Sequence, residues 1–194
     1  GIWTGSGATK FVIGDDDCDY IIKFCPNGGD FDYCAREVEV YEEAVRAGYA
    51  DKFAWCAHLL DYDIDGDTLP IYVMEWCKCD YDMISDEMDD YHYTKFCEDN
   101  NLDASSDDSR DLFSDEEERR ACDDEHSDSN FGMIEYAKST WGIIDEELLR
   151  DLIGFMRDWE INDLHAGNWG YKGDKLVMVD YGGFGSVEER HLYY

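Results

Sequence analysis

Ile161-Asn162-Asp163-Leu164-His165-Ala166-Gly167-Asn168-Trp169-Gly170, a short turn at Lys172-Gly173-Asp174, and then Leu176-Val177-Met178-Val179-Asp180-Tyr181-Gly182 form the stretch that decides how this chain is read. A helix pattern feeds into Asp163 and Asn168, an apolar hairpin follows, and its second strand delivers Asp180 just ahead of Tyr181-Gly182. Phosphoryl transfer calls for such a set. One carboxylate stands near the attacking hydroxyl, while an amide oxygen and a second carboxylate hold Mg²⁺ against nucleotide phosphates.

The order Asp163, Asn168 and then Asp180 at a strand end before a glycine resembles the catalytic and metal-binding loops of the protein-kinase-like superfamily. Protein kinases have His-Arg before the aspartate, where this chain has Ile161-Asn162. They often have lysine two residues after it, where this chain has His165. Asp-Leu-His-x-Gly-Asn is nearer the loop of aminoglycoside and choline phosphotransferases. The resemblance therefore implies ATP and Mg²⁺ as cofactors and Asn168 and Asp180 as the metal ligands. It makes Asp163 the catalytic residue, with His165 beside it contacting acceptor or phosphate; a packing or hydrogen-bonding role for His165 is the alternative.

Working upstream, Asp145 suits the N-cap of a helix over 146–160, whose stripe of Leu148, Leu149, Leu152, Ile153, Met156 and Trp159 is fully explained by packing. Near the start, Gly5-Ser6-Gly7-Ala8-Thr9-Lys10-Phe11-Val12 reads as a glycine-containing turn between extended segments. Gly5 and Gly7 let backbone amides approach phosphates, and Val12 is placed to cover a base. This is similar to the kinase glycine-rich loop, with Lys10 where its third glycine usually stands. Lys23 lies in the apolar strand Tyr20-Ile21-Ile22-Lys23-Phe24, where an ammonium needs an anion to offset its desolvation. Tyr-Ile-Ile-Lys resembles the family's Val-Ala-Ile-Lys strand, whose lysine binds nucleotide phosphates. The bland alternative is an edge strand with its lysine in water.

The spacing predicts a helix from Phe31 to Ala50 with Val38, Tyr41, Val45 and Tyr49 on one face. Glu37, Glu39 and Glu42 all compete to face Lys23. Arg36-Glu37-Val38 matches the family's Arg-Glu-Ile, which selects Glu37 and leaves Glu39 as runner-up. Two strands, Phe53 to Leu60 and Pro70 to Trp76, flank a turn signalled by Asp65-Gly66. The aspartates of this turn imitate part of a calcium loop, but Tyr72 stands at its twelfth position and strands flank it. The strand Ile71 to Cys77 resembles the one leading into the kinase hinge, implying that Met74 lines the adenine pocket and that the backbone of Glu75 and Cys77 binds the base.

From Asp80 to Asn130 acidic residues dominate. The expectation there is some helix near Tyr81 to Phe96, followed by a mobile, solvated insert over about 97–130. The 194 residues carry a net charge of −32 with 44% hydrophobic and 15% aromatic content, so most of the chain should fold. Such charge repels bare nucleic acid and anionic membranes and favours cations or a basic protein as partner. The eight cysteines read as reduced thiols of a cytoplasmic protein, with zinc at Cys77 and Cys79 the alternative. No apolar run is long enough to span a bilayer.

Together these readings give an α+β, kinase-like two-lobe fold. Residues 1–77 form a lobe with an antiparallel sheet and one helix, and residues 78–194 form a reduced, mainly helical lobe with the catalytic hairpin. The expected function is an ATP- and Mg²⁺-dependent phosphotransferase acting on a hydroxyl acceptor. A kinase-like interaction module of little or no activity, and an acidic decoy for nucleic-acid-binding proteins, are the competing readings. With only Gly183 to Tyr194 after Gly182, the expectation is that an activation segment and a peptide platform are missing, unless the acidic insert or another chain supplies the platform.

Overall fold

The computed structural model describes residues 1–6, 10–25, 32–64, 66–123, 128–143 and 145–182. Its architecture is α+β. Strands β1 (Ile2–Ser6), β2 (Phe11–Asp15) and β3 (Tyr20–Phe24) precede α1 (Tyr33–Ala47), and the long strands β4 (Cys56–Ile64) and β5 (Asp67–Glu75) follow it. Helices α2 (Tyr81–Asn100), α3 (Asp107–Asp123), α4 (Asp128–Trp141) and α5 (Glu146–Asp158) come next. A hairpin of β6 (Trp169–Lys172) and β7 (Lys175–Met178) completes the series.

The five-stranded sheet is antiparallel throughout, in the order β1-β2-β3-β5-β4. β3 is therefore an interior strand, with Lys23 paired to Val12 on one side and Tyr72 on the other. That removes the edge-strand alternative for Lys23. The β4–β5 hairpin is longer than its apolar residues suggest, because pairing continues through Asp61↔Pro70, Tyr62↔Leu69 and Asp63↔Thr68. The Thr68 hydroxyl donates to the Asp63 carboxylate at 2.9 Å, and Gly66 turns the chain at φ +95°. Phe53 stands outside β4. It bridges to Met178 instead, and the Ala54 N–H donates to the Met178 carbonyl at 2.8 Å.

Asp32 caps α1, its carboxylate accepting from the backbone N–H groups of Cys34 and Ala35, and Gly48 closes the helix in the left-handed region at φ +85°. The helix buries a different stripe from the one its apolar spacing predicts. Cys34, Glu37, Val40 and Ala44 face inward, whereas Val45 is 52% exposed. An ion pair to Lys23 sets the rotation of the helix, and the apolar residues Val38, Tyr41 and Tyr49 pack at the flank.

The acidic insert holds more helix than its composition suggests. Among its described residues α2 runs on to Asn100, a non-helical stretch over 101–106 leads into α3, and Ser129 and Asn130 lie inside α4. Asp107 and Asp108 in the first turn of α3 favour the positive end of its dipole. Two aromatic contacts anchor that helix, from Phe113 to Tyr93 and to Phe96 at ring separations of 5.5 and 5.4 Å. The Arg110 guanidinium also stacks 4.5 Å over Tyr93. Over 107–116 most side chains of α3 thus face water while these contacts hold the helix against α2.

α5 begins where Asp145 caps it, the carboxylate accepting from the Glu147 N–H at 2.8 Å. Leu149, Leu152 and Met156 are its buried residues, while Leu148, counted in the stripe, is 44% exposed. One core joins the sheet, α1, the later helices and the hairpin through Val40, Met74, Ile84, Met133, Leu152 and Trp169. The hairpin is pinned by two indole N–H donors, Trp141 to the Leu176 carbonyl at 2.6 Å and Trp169 to the Leu164 carbonyl at 3.0 Å. Among the described residues no helix is long and apolar enough to cross a membrane.

Candidate functional site

Lys23 projects from β3 into the gap between the sheet and α1, where Glu37 waits on the buried face of the helix. The Lys23 Nζ lies 3.0 Å from Glu37 Oε2 and 3.2 Å from Oε1, with a third bond to the Val179 carbonyl at 3.0 Å and the Met74 Sδ at 3.6 Å. Glu39 and Glu42, the competitors for this role, are exposed, and Glu42 pairs with Arg46 on the outer face. Both partners of the Lys23–Glu37 pair are almost fully buried, at 5% and 1% exposure.

A second ammonium enters the same space. Lys10, 4% exposed just before β2, lies 2.5 Å from Glu37 Oε1 and also pairs with the Asp180 carboxylate. Two cations and two anions therefore share one site, locally neutral inside a chain of net charge −32. Burial pushes the Asp180 carboxyl up, but the Lys10 and Lys23 ammonium charges outweigh it and hold the group below its ordinary value. For Lys10, burial acts downward and is overcome by the Glu37 and Asp180 carboxylates, so its ammonium is held above its usual range.

The signs of these shifts fix a pH dependence. Asp180, with its folded value depressed, contributes stability that is present above the ordinary carboxylate range and is lost as the pH falls through the folded value. Lys10, with its folded value raised, contributes stability that is intact below the ordinary lysine range and is lost only as the pH rises through the folded value. Denaturant midpoints measured down an acid series should fall more steeply for the native chain than for Asp180→Asn. Parallel acid limbs would show that the Lys10–Asp180 pair contributes nothing.

The loop that carries Asp163 is held at both ends. At its entry, the chain leaves α5 through Glu160 in the left-handed region at φ +54°. Arg36 of α1 donates to the Trp159 carbonyl at 2.7 Å and stacks 5.0 Å from the centre of the Trp159 ring. Further along, the Asn168 side chain donates through Nδ2 to the Asp163 carbonyl at 2.8 Å, which leaves Oδ1 as the end for a cation. The Asn168 carbonyl accepts from the N–H groups of Val179 and Asp180, at 2.9 and 3.4 Å. The loop of Asp163 and the strand end of Asp180 are thus tied through one residue.

Asp163 itself is about one-third exposed, and the imidazole of His165 reaches it with Nε2 at 3.5 Å from Oδ1. His165 Nδ1 accepts from the Gly167 N–H at 3.0 Å, which puts the ring proton on Nε2, the nitrogen facing Asp163. Beyond Asp180, the Tyr181 N–H donates to Glu37 Oε1 at 3.3 Å, and its buried hydroxyl donates to the Ala54 carbonyl at 2.6 Å. Gly182 touches α1. A Cβ there would collide with the Tyr33 carbonyl oxygen and come within 3.0 Å of Glu37 Cγ, so only glycine lets the two segments meet.

The remaining sequence-predicted residues are less closely gathered. Gly5 lies within β1 opposite Val12 with open space around it, and Gly7 falls outside the described residues. Met74 is buried beside Lys23. The backbone N–H of Glu75 donates to the Trp55 carbonyl at 2.8 Å, and its side chain pairs with Lys172 at 2.6 Å. Cys77 is buried, and its carbonyl accepts from the Cys79 thiol at 3.4 Å. Lys10 is the residue that sequence reasoning missed. Its only signal was a lysine where a glycine-rich loop usually has glycine.

No family model matches the chain, and no curated protein matches it.

Proposed function

We propose that this chain is an ATP- and Mg²⁺-dependent phosphotransferase with a protein-kinase-like two-lobe fold, transferring a phosphoryl group to a hydroxyl acceptor. The observation that carries the reading is the set of buried Lys10, Lys23 and Glu37 with half-exposed Asp180, tied through the Asn168 carbonyl to the loop of Asp163. The donor chemistry fits the cofactors. Asn168 Oδ1 and the Asp180 carboxylate are hard oxygen ligands of the kind Mg²⁺ prefers, and two lysines suit a polyphosphate. Bound there, Mg²⁺ would neutralise charge on the phosphoryl oxygens.

The chain's own residues supply the rest. Glu37 holds the Lys23 ammonium in place for phosphate, and Lys10 has to release Asp180 before that carboxylate can serve a metal. Asp163 orients the acceptor hydroxyl and takes its proton, with the His165 ring setting the carboxylate's direction. A basic protein suits the surface charge as partner.

The Lys10–Asp180 pair also favours a second reading, a kinase-like interaction module in which Lys10 permanently occupies the metal's place. Calorimetric titration with a non-hydrolysable ATP analogue separates the two. Phosphotransferase chemistry expects Mg²⁺-dependent binding that weakens by at least about tenfold in Lys23→Met, one charge-assisted contact being worth about 1.5–3 kcal/mol. Binding indifferent to Mg²⁺ supports the module, and no heat together with no thermal shift rejects the phosphotransferase reading.

A further inference from the structure

Where β3 ends and α1 begins, Cys25, Asp32 and Cys34 converge. The two sulfurs lie 3.6 Å apart, and Cys25 Sγ is 3.5 Å from Asp32 Oδ1. Among the described residues this is the one group of three or more His, Cys, Asp or Glu side chains whose donor atoms all fall within 4.8 Å of one another. Both cysteines are buried, at 8% and 1% exposure.

We propose that Cys25, Cys34 and Asp32 form a binding site for a thiophilic divalent cation of the zinc class, with water as its fourth ligand. The geometry matches such an ion. A tetrahedral cation bonded to two sulfurs at about 2.3 Å holds them about 3.8 Å apart, close to the separation that this pair already has. The third donor is prepared as well. Asp32 Oδ1 accepts from two backbone N–H groups at 2.9 and 3.1 Å, and Oδ2 accepts from the Tyr72 hydroxyl at 2.7 Å. A carboxylate offers about four acceptor positions, so one remains on Oδ2, and the other three contacts fix its orientation as outer-shell partners fix a ligand. A carboxylate beside two thiols contributes nothing to a disulfide. It does complete the donor set of a metal.

The position matters. Cys25 follows Lys23 by two residues on one segment, and Cys34 precedes Glu37 by three on the other. A bound cation would staple the strand that carries the buried ammonium to the helix that carries its counter-ion. This site stands on its own residues and holds whether or not the chain binds nucleotide.

The test is titration of the fully reduced chain with Co²⁺, reading the thiolate-to-cobalt charge-transfer absorption, followed by displacement with Zn²⁺. Carboxylates on this acidic surface do not produce that band, since it requires sulfur. The expected result is saturation at one equivalent, loss of the band in Cys25→Ser and in Cys34→Ser, and at least about tenfold weaker binding in Asp32→Asn, which keeps the cap oxygen but not the charge. The double variant Cys77→Ser, Cys79→Ser should bind as the native chain does. Far-ultraviolet circular dichroism checks each fold, and Cys25→Ala, at the strand end, replaces any serine variant that unfolds. No band, a band that survives loss of Cys25 and Cys34, or a band that follows Cys77 and Cys79 overturns the site. So does a reduced chain that ignores Co²⁺ while oxidised glutathione joins Cys25 to Cys34.

Discussion

Glu37→Gln should destabilise the folded chain by about 3–5 kcal/mol, the cost of removing one partner from a buried ion pair and leaving the other charge uncompensated. The case here is severe because Glu37 faces two ammonium groups, Lys10 and Lys23, each at most 5% exposed. Only Asp180, itself 43% exposed at the side chain, would remain as counter-charge. Glutamine keeps the shape and still accepts from the Tyr181 N–H, so the loss isolates the charge. Denaturant midpoints at constant slope measure it. Adding Lys23→Met to Glu37→Met should recover part of the deficit, since an apolar replacement of a buried pair is often nearly neutral. A loss below about 1 kcal/mol, the range of exposed pairs, would mean that water reaches the cluster.

The second large effect concerns chemistry. Asp163→Asn should lower phosphoryl-transfer turnover by about 10²–10⁴-fold, the usual contribution of a positioned general base, while leaving nucleotide affinity unchanged. The separation of effects follows from which atom of Asp163 does what. Its backbone carbonyl holds the Asn168 amide, and its carboxylate faces His165, so the substitution leaves the proposed metal donors in place. Phosphate release from ATP, measured with excess enzyme, gives turnover even before the acceptor is known. Native-level turnover in Asp163→Asn would remove this residue from the mechanism.

Much of the architecture could be read from local pattern. Alternating apolar runs mark the strands, Asp145 marks the start of α5, and Asp65-Gly66 marks the hairpin. Lys23 was conspicuous because a lysine in an apolar strand needs an anion, and the carboxylate that meets it belongs to Glu37. What escaped depends on contacts distant in sequence. The rotation of α1 follows a buried ion pair, so Val45 was misjudged as inward. The acidic insert looked unable to hold a structure, yet Phe113 and Arg110 dock α3 on Tyr93 and give its charged helix an anchor. The Glu75 N–H bonds the Trp55 carbonyl, a backbone contact that no side-chain pattern reports.

Lys10 and Asp180 stand 170 positions apart. Closing so long a loop carries an entropic cost that is met only when most other contacts exist, and non-local pairings of this kind form late. A nascent chain emerging at ~5–20 residues per second would carry its two inward lysines for many seconds before the second carboxylate is made. Until then Glu37 is the sole anion between them. The sheet and α1 can therefore assemble early around an overall positive pocket, and completion of that pocket reports that the whole distance from Lys10 to Asp180 has been synthesised and folded.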